Sequence, residues 1–131
     1  MIGLDTNVLV RYIMQDDVKQ SAKATRLMES LTIETPGFVS SITIIELFWV
    51  LSSFFELSRE QILQAFEAIL RTRELVVDRT ELVMQALIVY KTGTADFADC
   101  LIARIGSSAG CSQTLTLDIR AARSAGMSLI A

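Results

Sequence analysis

Residues 93–103 read GTADFADCLIA. Gly93 interrupts the chain, and Asp96 then opens a helix that turns apolar, with Asp99 three residues further on. At that spacing both carboxylates leave the same face of the helix, close enough to share a cation. Like charges so close repel each other, and a helix N-terminus, an arginine or a divalent metal would offset them. Asp96 is also a good N-cap and Asp99 suits a first helical turn. Alone, the pair reads as a cap; acids elsewhere in the chain give it a second meaning.

A chain of 131 residues is long enough for one domain with a real core, and a single domain over residues 1–131 is expected. Apolar residues make up 51% and charged residues 21%, which suits a sheet covered on both faces and speaks against disorder. The longest apolar run, Ile42 to Leu51, is interrupted by Glu46 and is shorter than a membrane span needs. Met1 is followed at once by IGLD, without a basic n-region, so a cytoplasmic protein with no membrane association is expected. Cys100 and Cys111 do not have zinc-site spacing. Histidine is absent, which excludes a Ser-His or Cys-His triad and leaves carboxylates and metal to carry any hydrolytic chemistry. The net charge of −3 argues against a broad basic surface for nucleic acid, though not against a local basic rim.

Outward from the central stretch, strands and helices alternate. Met1 to Leu4 reads as a buried strand, and VLVRYIM after Asp5-Thr6-Asn7 as a helix, which puts Asp5 at a strand's carboxyl end. Asp17 and Gln20 form a capping-box pattern for a helix over residues 19–31. Pro36-Gly37 is the strongest break. Phe38-Val39 is a short strand, and Ser40-Ser41 caps a helix carrying ITIIELFWVLSSFF. That helix is apolar almost all round, which predicts burial and leaves Glu46 as a buried carboxylate needing a partner, a proton or a metal. A capping box of Thr43 with Glu46 is the structural alternative. Ser58 and Gln61 open a further helix, Glu74 to Val77 forms a strand, and a helix over residues 79–91 leads to Gly93. Gln113 to Leu117 reads as a strand that delivers Asp118 at its carboxyl end, and Met127 to Ile130 as the last strand. The βα alternation predicts an α/β/α three-layer sandwich around a central parallel sheet with right-handed crossovers.

In such a fold strand ends and the following helix starts share one edge, so Asp5, Glu46, Asp96, Asp99 and Asp118 could converge in one acidic cleft. Hard carboxylate ligands without His or Cys select Mg²⁺ or Mn²⁺, which promote attack of water on a phosphodiester.

These residues resemble the PIN domain, and within it the VapC-type toxin ribonucleases of toxin–antitoxin pairs. The matching stretches are LDTNVLVRYIMQDD, SITIIELFWVL, YKTGTADFADCLIA and TLTLD, in family order across nearly the whole chain. The resemblance implies metal-dependent endonucleolytic cleavage of RNA by Asp5, Glu46, Asp99 and Asp118. Asp96 matches the extra acid of the DFAD variant, and Thr6 and Asn7 match supports of Asp5 through hydrogen bonds. Arg11 would lie at the cleft or its rim, to meet phosphate or to form a salt bridge. Leu117 departs from the aromatic often found before the fourth acid. The resemblance also implies homodimers and inhibition by a VapB-like antitoxin.

Two other classes compete. A Mg²⁺-binding phospho-receiver wants paired acids after the first strand and a late lysine, whereas only Asp5 follows that strand and Lys91 is the last lysine. A catalytically silent PIN-fold scaffold has no reason to keep like charges together.

Overall fold

The computed structural model describes residues 1–131. Its strands are short and all pair in parallel. β1 (Ile2–Gly3), β2 (Gly37–Val39) and β3 (Leu75–Val77) form one sheet with β2 in the middle. Ile2 stands opposite Gly37, and Gly37 in turn opposite Leu75. The central place of β2 explains Gly37, since a Cβ there would come within 2.8 Å of Leu4 Cδ1 and 2.9 Å of Leu31 Cδ1. Hydrogen bonds continue past the strands, from Leu4 N–H to the Phe38 carbonyl and from Asp78 N–H to the Val39 carbonyl, both 2.9 Å. Asp5, Ser40 and Asp78 therefore emerge together at the sheet's carboxyl edge.

The chain divides into two units, Met1–Asp78 and Arg79–Ala131. In the first, Asp5 caps α1 (Thr6–Met14), Asp17 caps α2 (Val18–Ser30) and Ser40 caps α3 (Ser41–Trp49). Only half of the Asp17 capping box forms: Asp17 accepts from Gln20 N–H at 2.8 Å, but the Gln20 side chain turns away to accept from Arg11 Nε at 2.7 Å. Ser58 and Gln61 complete their box at the start of α4 (Arg59–Arg71), which buries Ile62, Leu63, Phe66 and Ile69. α1 packs on α2 and α3, and α4 lies against β3.

α3 does not run on as one α-helix. From Val50 to Phe54 it widens into a π turn, with Phe55 N–H donating to the Val50 carbonyl at 3.1 Å, and Glu56 then reverses the chain at φ 53°.

In the second unit α5 (Thr80–Thr92) packs against α6 (Phe97–Ser108), with the rings of Tyr90 and Phe97 edge to face. β4 (Leu115–Thr116) pairs with β5 (Ser128–Leu129) across α7 (Ile119–Ser124). Gly93 lies so close to α7 that a Cβ would collide with Ser124 Oγ, the atom that accepts from Thr94 N–H at 2.6 Å. The five strands expected from the sequence are all present and parallel. Their hydrogen bonds group them as three and two rather than as one continuous ladder. No helix is long and apolar enough to cross a membrane.

Candidate active site

In the first unit, Asp5 and Glu46 are separated in sequence by α1, α2, β2 and the first half of α3, and are linked by one residue. The Thr6 N–H donates to Asp5 Oδ1 at 2.7 Å, and the Thr6 hydroxyl donates to Glu46 Oε1 at 2.8 Å. Thr6 itself is buried, with 9% exposure, so its hydroxyl has little access to water as an alternative partner. Both carboxylates line one cavity of about 450 Å³, together with Asn7, Arg11, Val50 and Phe54. Asn7 faces this cavity and makes no hydrogen bond to Asp5; the support that Asp5 receives comes from the Thr6 backbone, while the Thr6 side chain serves Glu46.

Arg11 stands on the cavity wall one helical turn after Asn7. Its guanidinium is held in an ion pair with Asp16 at 2.9 Å and donates to Gln20 at 2.7 Å. Asn7 and Arg11 also line a second cavity of about 340 Å³ with Gln20 and Lys23, so a basic margin borders the acidic site.

In the second unit, Asp96 caps α6 by accepting from Asp99 N–H at 2.8 Å, and Asp118 caps α7 by accepting from Arg120 N–H at 2.8 Å. Partial burial raises the Asp99 pKa above its ordinary value, and the charges of Asp96 and Asp118 push it further in the same direction. These three carboxylates are therefore electrostatic neighbours. None of the five acids forms an ion pair with Lys or Arg.

A second sequence expectation, after that of Asn7 as a support of Asp5, is corrected. Glu46 is exposed, not buried among apolar side chains. α3 buries Thr43, Ile44, Leu47 and Phe48 on one side, while Ile42, at 73% exposure, and Trp49, at 46%, share the open side with Glu46. The apolar pattern made the helix look buried all round, because exposed apolar residues such as Ile42 and Trp49 read in sequence the same as core ones. The Thr43–Glu46 capping box is also absent, because Ser40 accepts from Thr43 N–H at 3.1 Å and Glu46 turns to Thr6.

Sequence reasoning passed over Asp78 and Phe54. Asp78 ends β3 as Asp5 ends β1, and it accepts from the Ser41 hydroxyl at 2.9 Å. An acid directly after an apolar strand was the signal available for it. Phe54 reaches the cavity through the π turn, which leaves no mark in the hydrophobic pattern.

The donors fit a hard divalent ion in kind: they are oxygen atoms of carboxylates left without a countercharge. In neither unit are three or more such side chains gathered into a ready-made cage for the ion. The parallel strands, the capping acids at their carboxyl ends and the carboxylate-lined cavity define an α/β protein with an acidic site. The PIN domain model matches residues 2–126, and the chain belongs to the PIN domain family. No curated protein matches the chain. PIN domains are generally nucleases and generally bind divalent metals, so the fold here is of the nuclease type.

Proposed function

We propose that this protein is a Mg²⁺- or Mn²⁺-dependent endoribonuclease, the VapC-type toxin of a type II toxin–antitoxin pair, acting as a cytoplasmic homodimer under the control of a VapB-like antitoxin. The observation that carries the reading is the Thr6 bridge, which holds Asp5 and Glu46 on one open cavity without a countercharge. Membership of the PIN family supports it across both units.

Asp5, Glu46, Asp99 and Asp118 would hold the ion, with Asp96 beside Asp99. When bound, the ion supplies positive charge to the phosphodiester and acidifies water for hydrolysis. The chain's own residues do the rest. Thr6 orients two carboxylates at once, through its N–H and through its hydroxyl. With no histidine in the chain, a carboxylate is the group available to take the proton from the attacking water. Arg11 keeps a guanidinium at the cavity wall, where a phosphate would compete with Asp16 for it.

Incubation with single-stranded RNA tests the reading: cleavage is expected in Mn²⁺ and is expected to vanish with chelator or with Asp5→Asn. Asn is as good an N-cap as Asp, so this variant keeps the start of α1 while losing the charge. Full activity in excess EDTA overturns the reading. A catalytically silent PIN-fold binding protein is the second reading, favoured by the capping roles of Asp5, Asp96 and Asp118 and by the lack of a formed ion cage. Calorimetry that finds no Mn²⁺ binding to the wild type decides for it.

A further inference from the structure

The cavity of Asp5 and Glu46 has one wall that hydrolysis of a phosphodiester does not require. Phe54 lines it and is 76% exposed, an unusual state for a phenylalanine. Phe55, which lines the same cavity, meets it edge to face, with ring centroids 4.9 Å apart. The π turn puts the ring there. In an uninterrupted α-helix, at about 100° per residue, Ser53 would fall within roughly 20° of Glu46 and Phe54 roughly 80° away. The π turn takes up about one extra residue, which moves Phe54 into the place Ser53 would have held. Accordingly Glu46, Val50 and Phe54 line the cavity, with Phe55 beside them, and Ser53 does not. Such turns are rare and are frequent at functional sites.

We propose that Phe54 is a stacking platform for one unpaired base of the RNA, next to the phosphate held at Asp5 and Glu46. The proposal rests on the ribonuclease reading and adds one contact to it: the ring takes an unpaired base, because a base inside a duplex cannot present its face to the ring. The continuity of the ring with the carboxylate pair in one cavity favours a nucleotide over a protein partner, since an acidic rim with a metal suits a phosphate placed one sugar away from the stacked base. Stacking on an aromatic ring also tolerates any base, so Phe54 confers strand selectivity without base selectivity.

The test uses a fluorescein-labelled single-stranded oligoribonucleotide and keeps Asp5 and Glu46 unchanged, with binding followed by anisotropy in Ca²⁺ and cleavage followed in Mn²⁺. Phe54→Ala and Phe54→Leu are each expected to weaken binding roughly 5- to 100-fold, and Phe54→Trp to retain it to within about twofold. A duplex of the same sequence is expected to show no dependence on residue 54. Because the ring is exposed, truncating it leaves the core intact. Binding by Phe54→Leu equal to that of Phe54 overturns the proposal, since leucine keeps the apolar surface and lacks the ring. Unchanged RNA binding by Phe54→Ala with an altered sedimentation coefficient also overturns it and assigns the ring to a protein contact. Cleavage by the wild type that Phe54→Ala leaves unaffected overturns the platform and spares the nuclease reading. Ring-dependent binding without any wild-type cleavage supports the platform and overturns the nuclease.

Discussion

Thr6→Val separates the role of one hydroxyl from that of the fold around it. Valine keeps the shape and β-branching of threonine and has a similar helix propensity, so the first turn of α1 should survive. What disappears is the donor to Glu46 Oε1, at 2.8 Å in the wild type. A hydrogen bond to a charged acceptor contributes roughly 1.5–3 kcal/mol, and exposure of Glu46 lets water replace the lost donor, so about 1–1.5 kcal/mol is expected in urea unfolding. The larger effect is on metal. A group that orients a ligand is worth about 10- to 100-fold in affinity, so the Mn²⁺ titration midpoint should rise by that factor. Thr6→Ser keeps the donor and should lie near wild type on the metal titration. A double-mutant cycle with Glu46→Ala should give a coupling of about 1 kcal/mol. Destabilisation of Thr6→Val with unchanged Mn²⁺ affinity and no coupling would show the hydroxyl to be a packing group only, and the bridge between the two carboxylates would lose its functional meaning.

Three further outcomes are expected. Saturating Mg²⁺ or Mn²⁺ should raise the melting temperature, by an amount equivalent to about 2.7 kcal/mol at a hundredfold excess over Kd, and Asp5→Asn should reduce that gain; identical melting with and without metal refutes a metal site. Asp99 has its folded-state pKa raised, by burial first and then by Asp96 and Asp118, so its ionised form destabilises the metal-free fold. That penalty is complete above the folded pKa, shrinks as pH falls through it and is gone below the unfolded value near about 3.9. Asp99→Asn should therefore be more stable than wild type at neutral pH in EDTA, with the two converging on acidification; a difference that does not vary with pH refutes the crowding of these acids. Gly37→Ala drives a methyl toward Leu4, Leu31 and Leu75 in the middle of the sheet and should lower stability by about 1–3 kcal/mol, measured by urea unfolding, with no change in metal affinity.

Much of the fold was written locally. Asp5, Asp17, Ser40, Ser58, Asp96 and Asp118 cap the helices that follow them, because a short polar side chain before an apolar periodic run satisfies free N–H groups in any tertiary setting. The alternation of strands and helices likewise required nothing beyond the period of the apolar residues, and all strand pairs are parallel as that alternation demands. The places of four acids were legible as well: Asp5 and Asp118 follow strands and Asp96 and Asp99 open a helix, as the local pattern has them.

What the tertiary structure decided lies in the relations between distant residues. The side of α3 that faces the core is set by which neighbours pack on it, and the near-uniform apolar character of ITIIELFWVL gave no face to choose, so Glu46 was assigned to the wrong side. The Thr6–Glu46 bond joins residues forty apart, and nothing in either local sequence announces it. The π turn that brings Phe54 to the cavity is a change of a single residue in helical register, invisible to periodicity and yet sufficient to decide which side chain stands beside the carboxylates. Sequence determines where a helix begins through short-range hydrogen bonds, while the direction in which its side chains look is settled only when the rest of the chain has packed against it.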